Sequence, residues 1–379
     1  MTHDLGALRN RVRTFVDARV TPAEADLESG SGAWERLREQ ARADGLWALP
    51  LPEADGGGGL DLADYVRIAE DEGRSDHGPE VLGSASLLNH RTLRDHGSRE
   101  LRELLPDLVS GAVRLSYAMT EPGVAGSDPA QLTTSAARTA DGWVLTGRKW
   151  FTTGGGVADV VLVLARTDPA APTRSAFSLF AVPTASPGFR VVRELDVLGA
   201  GGQHELALDR VEVPASHLLG EPGSGLDIAA QRLALGRTLR ALRWTGQAQR
   251  AVELLCARAS SRTVGGAALG EHQLVQQQVF DSELAVRSAR ALAARAADAV
   301  VAERRATTEV SMAKVAASRA LTTAVDAAAH VHGAEGLLPE TGLTGLLRTA
   351  RAARVLDGSD EQHITSAARR LLRQHAQST

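Results

Sequence analysis

Two stretches in the C-terminal half, Glu271 to Val301 and Thr307 to Val331, contain no proline or glycine and are filled with Ala, Leu and Val. Unbroken backbone of that length forms long helices, and each must bury its apolar stripe against another helix. This part of the chain is therefore committed to a bundle. Helices of that extent also leave apolar surface that a second subunit could cover, so a homo-oligomer is expected.

The rest of the chain divides by texture. From Leu5 to about Leu108 apolar residues recur at helical spacing, as in Leu8, Val12, Phe15 and Val16, then Trp34, Leu37 and Ala41, then Leu101, Leu104 and Leu105. The run Asp55-Gly56-Gly57-Gly58-Gly59 reads as a loop, without the spacing or flanking strand of a phosphate cradle. Between Val113 and Val213 short β-prone runs alternate with turn residues: Trp143 to Leu145, Val160 to Ala165, Phe177 to Val182, Phe189 to Arg193 and Leu206 to Val213. No GxGxxG occurs, so a Rossmann-type dinucleotide domain is unsupported. The expected fold is mainly α with a β-domain: an N-terminal helical domain (1–112), a central antiparallel β-barrel or sandwich (113–222) and a C-terminal long-helix bundle (223–379). No internal repeat is found.

Composition removes several function classes. With 43% apolar and 23% charged residues the chain is an ordinary globular one, and its net charge of −4 lacks the basic footprint of a nucleic-acid binder. The single cysteine, Cys256, allows no internal disulfide and no multi-cysteine metal site, and its apolar helical setting suits a structural thiol. His330, His332 and His363 have no partner at ligand spacing, so no metal is expected. No transmembrane segment and no secretory leader is read, which gives a cytoplasmic expectation with no membrane insertion. Only two lysines occur, Lys149 and Lys314. Arginine carries nearly all the positive charge, and we read no function from that bias.

Two segments could carry chemistry. In Tyr117-Ala118-Met119-Thr120-Glu121-Pro122-Gly123-Val124-Ala125-Gly126-Ser127-Asp128 the small residues and hydroxyls would let backbone N–H groups approach a planar ring or a phosphate, or would simply make a turn. In Arg351-Ala352-Ala353-Arg354-Val355-Leu356-Asp357-Gly358-Ser359-Asp360-Glu361 an acid followed by glycine and a helix start suits a carboxylate held on a bend. The same residues would equally serve as an N-cap cluster.

Taken together, YAMTEPGVAGSD, DGWVLTGRKWFTTGG, VHGAEG and LLRTARAARVLDGSDE resemble, in order, the motifs of the acyl-CoA dehydrogenase family over nearly the whole chain. The extra residue in GVAGSD and the DGSDEQH ending resemble a side branch with aspartate at the usual glutamate base position. The resemblance implies FAD-dependent α,β-dehydrogenation of an acyl thioester, on CoA or a carrier protein. Asp357 would take the α-proton while the β-hydride passes to flavin N5. It implies that Tyr117, Met119 and Thr120 line the flavin, that Gly126 and Ser127 contact cofactor and thioester arm, that Trp150 packs on the ring and that Thr152 sits near N5. Arg262, Gln273, His330 and Gly333 would reach the FAD of a neighbouring subunit in a dimer or tetramer. Ser359 and Glu361 would touch FAD beside the base, and Ser127, Arg237 and Gly358 would meet substrate. Gly236 occupies the family's alternative base position and cannot act as one. Leu356, His330, Ala334, Gly265 and Ala234 depart from common family residues, at positions that bear on FAD affinity and the CoA end. The resemblance further implies fatty acid metabolism and an electron-transfer flavoprotein partner. The other readings are a flavin oxidase or monooxygenase on the same scaffold and a non-catalytic flavin-binding paralogue.

Overall fold

The computed structural model describes residues 4–30 and 32–378. The chain forms two compact units. One gathers the chain up to Leu49, Leu60–Leu82 and everything from Ala234 onward; the other holds Pro50–Gly59 and Gly83–Leu233. The three textures of the sequence are thus interleaved in space, because part of the N-terminal helical segment folds with the strands.

In the helical unit lie α1 (Leu5–Phe15), α2 (Ala33–Ala43) and α3 (Leu62–Glu72). Most of α5 (Gly225–Ser261) belongs here too, with α6 (Gln273–Val301), α7 (Thr307–His332), α8 (Leu343–Ala353) and α9 (Asp360–Ser378). The two breaker-free stretches are α6 and α7, joined by a short turn into an antiparallel hairpin. Alanines dominate the buried stripe of α6 (Ala289, Ala293, Ala296, Ala297), so its backbone can approach α7 closely. Helix α7 also packs on α8 and α9 and is buried on most of its circumference, which is why its sequence is apolar almost all round. Three polar residues nevertheless lie in that buried surface, Ser311, Lys314 and Ser318. Inside a core each must find a partner.

The other unit is built on an eight-stranded sheet: β1 (Leu115–Ala118), β2 (Ser135–Arg138), β3 (Gly142–Thr153), β4 (Val160–Arg166), β5 (Phe177–Pro183), β6 (Phe189–Val197), β7 (Ala200–Pro214) and β8 (Leu218–Leu219). The order is β6-β7-β3-β2-β4-β5-β8, with β1 paired to β4. The expected antiparallel sheet is in fact mixed. β1 runs parallel to β4 from Leu115↔Val160 to Ala118↔Val163, and β2 meets β4 in parallel at Ser135↔Arg166. The hairpin β2–β3 serves as the crossover that parallel pairing requires. Strand β4 reads as an unbroken apolar run because both its faces are covered. Val161, Val163 and Ala165 enter one core with Trp143, Leu145 and Phe180, while Leu162 and Leu164 enter another with Leu93 of α4 (Leu87–His96), Leu101, Leu105 and Ile228. That second core keeps Gly83 onward with the sheet. No described helix is long and apolar enough to cross a membrane.

Candidate active site

In the sheet unit, the loop after β1 is tied to β3 by a buried ion pair. Lys149 is fully buried, and its Nζ donates to Glu121 Oε1 (2.8 Å) and to the Met119 carbonyl (2.9 Å). Glu121 also accepts from the Thr133 N–H (2.7 Å), the Thr133 hydroxyl (2.8 Å) and the Thr134 N–H (3.0 Å). Burial alone would raise the Glu121 carboxyl; the Lys149 charge and these hydrogen bonds outweigh it and hold the group at about 2. Burial pushes the Lys149 ammonium down to about 8, with Glu121 pulling it back up. A lowered carboxylate pKa stabilises the fold above the ordinary value near 4.5, and that contribution is lost as pH falls through the folded value. The unfolding free energy read from denaturant titrations is therefore expected to drop between about pH 4.5 and 2, by on the order of 3 kcal/mol from this group. Glu121→Gln should lack that share of the slope.

The ion pair fixes the expected cofactor residues. Thr120 is stitched to Trp150 twice, through its hydroxyl to the Trp150 carbonyl (2.7 Å) and through its own carbonyl to the Trp150 N–H (3.0 Å). Tyr117 and Met119 are half-buried side by side, with the Tyr117 Oη 3.7 Å from Met119 Sδ. The Arg232 guanidinium lies 4.6 Å from the Tyr117 ring centroid. Burial raises the Tyr117 phenol to about 12, against a downward pull from Arg232. Gly126 and Ser127 are exposed, and a Cβ at Gly126 would meet Thr120 Cγ2 at 3.1 Å, so this loop sits close against Thr120. Thr152 follows two residues after Trp150 on β3. Its side chain is fully buried across a register shift of the strand, and its Oγ1 has no hydrogen-bond partner among the described residues. Phe151 and Thr153 face outward instead. Phe151 is 46% exposed, has φ +50° and stands edge-on to Trp150 at 4.9 Å.

In the helical unit, the bend before α9 carries Asp357. Both Asp357 (φ +58°) and Gly358 (φ +96°) are left-handed. The Asp357 carbonyl accepts from Arg237 Nε (2.8 Å) and lies 3.0 Å from His363 Nε2. Its N–H has no acceptor among the described residues. Its carboxylate is partly open, and Oδ2 lies 3.5 Å from Arg240 Nε. The capping role goes elsewhere: Ser359 Oγ accepts from the Gln362 N–H (3.3 Å), and Asp360 turns inward. Asp360 accepts from Lys314 Nζ (2.9 Å), Ser318 Oγ (2.9 Å) and Arg354. Burial opposes its ionisation, but these partners prevail and hold its carboxyl below the usual range. Lys314 is fully buried and also lies 5.8 Å from the Trp244 ring centroid. So the polar residues of the core helix exist to anchor the bend, and Asp357 is left without a capping duty. Glu361 is exposed beside it.

Arg262, at the end of α5, and Gln273, opening α6, are exposed. So are His330 and Gly333 at the end of α7, with His330 3.8 Å from Asp326. Because α6 and α7 are antiparallel, Gln273, His330 and Gly333 share one end of the hairpin.

The sequence reading missed Lys149, Glu121, Lys314, Asp360, Arg240 and His363. A signal for the first four was present: in a chain that otherwise uses arginine, the two lysines are the exceptions, and each is fully buried against a carboxylate.

Three family descriptions match in order: acyl-CoA dehydrogenase N-terminal domain at 2–112, middle domain at 116–211 and C-terminal domain at 223–372. The chain belongs to the acyl-CoA dehydrogenase family. It is 32% identical to acyl-CoA dehydrogenase family member 11 of Mus musculus, over 97% of this chain and 50% of that protein. The chain thus spans about half the length of that relative. It is 35% identical to "Probable acyl-CoA dehydrogenase FadE2" of Mycobacterium tuberculosis, over 95% of this chain and 93% of the relative. Its fold matches a glutaryl-coenzyme A dehydrogenase solved with glutaryl-CoA, with a TM-score of 0.88 and 27% identity over 98% of this chain and 96% of the other.

Proposed function

We propose that the chain is an FAD-dependent dehydrogenase that removes the α and β hydrogens of an acyl thioester, with Asp357 as the base. The observation that carries this reading is the bend before α9. There a carboxylate without a capping role and an N–H without an acceptor sit on the same residue, and neighbouring side chains hold its backbone. A base needs the first, and a thioester carbonyl that must be polarised needs the second.

The residues of the sheet unit fit a flavin. A half-buried Tyr117 and Met119, an outward aromatic Phe151 and a close-packed glycine at 126 offer apolar faces and near approach of backbone. Thr120, Ser127 and Thr153 add hydroxyls. When bound, FAD supplies the two-electron acceptor for the hydrogen leaving the β-carbon. This chain's own part is to orient and to move one proton. The Asp357 carboxylate takes the α-proton, and the Asp357 N–H steadies the thioester oxygen as charge builds there. Arg237 bonds the carbonyl of the same residue, on the peptide that follows it, and Gly358 is the proposed substrate contact beside the base. In this reading Thr152, whose buried hydroxyl has no partner among the described residues, lies near flavin N5, and Trp150 packs on the ring. Arg262, Gln273, His330 and Gly333 serve the cofactor of a second copy in a homo-oligomer, and Ser359 and Glu361 flank the base. An electron-transfer flavoprotein is the proposed acceptor, and fatty acid metabolism in the cytoplasm the proposed setting.

The visible spectrum of the purified protein tests this reading. A flavin absorption is expected, bleached by anaerobic addition of acyl-CoAs and slow to return when air is admitted. A colourless protein that refuses added FAD would overturn it, and rapid return in air would make the chain an oxidase.

A further inference from the structure

We propose that His363 is a positioning residue for this reaction: together with Arg237 it grips the Asp357 carbonyl from two different helices and thereby fixes the Cα from which the base's carboxylate leaves. The inference rests on Asp357 being that base.

His363 is buried in the first turn of α9 and bridges two elements. Its Nε2 lies 3.0 Å from the Asp357 carbonyl and its Nδ1 3.1 Å from Ser311 Oγ of α7. A carbonyl can only accept, so Nε2 carries the hydrogen, and the neutral ring's Nδ1 accepts from the Ser311 hydroxyl. Both nitrogens are committed, so the imidazole is unsuited to passing protons and suited to holding a peptide. The charged groups acting on it are Arg237 on α5, Lys314 on α7 and Asp360 at the start of α9. Lys314 and Asp360 neutralise each other. Burial, reinforced by Arg237 and Lys314, keeps the ring below its ordinary pKa despite the Asp357 carbonyl and Asp360.

A grip is needed because the bend is intrinsically unfavourable. The left-handed conformation is sterically disfavoured for aspartate, and the glycine that follows allows the chain to continue the bend. Arg237 Nε alone, at 2.8 Å, is one anchor on a long side chain. A second donor from a different direction fixes the plane of the Asp357–Gly358 peptide, and so the Cα from which the Asp357 side chain leaves. The contact is close: a Cβ at Gly358 would meet His363 Nε2 at 3.0 Å and Gln362 Oε1 at 2.7 Å.

The flavin-loaded enzyme is compared as wild type, His363→Leu and His363→Gln, with butyryl-, octanoyl- and palmitoyl-CoA. Small misplacements of a reacting group cost up to about 10²-fold, so His363→Leu is expected to lower kcat about 10- to 100-fold with KM changed less than about threefold. His363→Gln, whose amide can donate to the same carbonyl, should restore most of the loss. A purely structural role would lower thermal stability in both variants without this kcat pattern. A long-range proton–nitrogen spectrum should show the Nε2–H tautomer of His363 whether or not the enzyme turns over. Should His363→Leu fail to fold, Ser311→Ala removes only the outer hydrogen bond and should lower kcat a few-fold. Unchanged kcat in His363→Leu, no rescue by glutamine, or an Nδ1–H tautomer each overturns the inference. If Asp357→Asn stays fully active, the base assignment itself fails. An inactive Asp357→Asn beside a normal His363→Leu sinks only the positioning role.

Discussion

Asparagine at position 357 should leave a folded, yellow protein that acyl-CoAs no longer bleach. Removal of a general base costs about 10²- to 10⁴-fold, and the amide has no useful basicity to replace it. The substitution is otherwise mild. Asparagine tolerates the left-handed conformation as aspartate does. The backbone carbonyl keeps its bonds to Arg237 and His363, and the ion pair lost is the 3.5 Å contact with Arg240. Thermal stability should move by less than about 1 kcal/mol, as for a partly exposed pair. Rapid mixing with acyl-CoA under anaerobic conditions, alongside a melting curve, separates chemistry from folding. Undiminished bleaching would remove Asp357 from the mechanism.

Lys149→Met should produce the largest loss of stability. It leaves Glu121 buried with its hydrogen-bond donors but no countercharge. Breaking such a pair by removing one partner costs about 3–5 kcal/mol. For a unit of this size the melting temperature should fall on the order of 10 °C. The double variant Glu121→Gln with Lys149→Met should regain much of that, since no unpaired charge remains. The same variant frees the Met119 carbonyl, so the loop ending at Asp128 should loosen and FAD should bind less tightly. A single variant as stable as wild type would show that the pair contributes nothing net.

The parts of this molecule that were readable from sequence are those whose signal is local. Helices α6 and α7 follow from the absence of breakers, and β3 to β7 from short β-prone runs between turns. The parallel pairing of β1 with β4 is a long-range choice that no alternation within either strand encodes. The same holds for the docking of Leu93, Leu101 and Leu105 on the sheet, which draws helical chain into the strand unit. At the site, the Asp-Gly pair announced a bend, and the competing cap was real but belonged to Ser359. The register shift of β3 between Lys149 and Thr152, where Phe151 has positive φ, has no counterpart in the residue pattern of the strand. The buried pairs Lys149–Glu121 and Lys314–Asp360 join residues on different elements, so only the odd choice of lysine hinted at them.

That choice has a practical consequence. Lys149 is the sole lysine of the sheet unit and Lys314 the sole lysine of the helical unit, and both side-chain amines are sealed from solvent. An amine-acylating reagent should therefore be blind to either side chain while its unit is closed, and mass spectrometry of the tagged peptides would time the opening of each unit separately. The protein carries two built-in unfolding reporters, with no engineered label required.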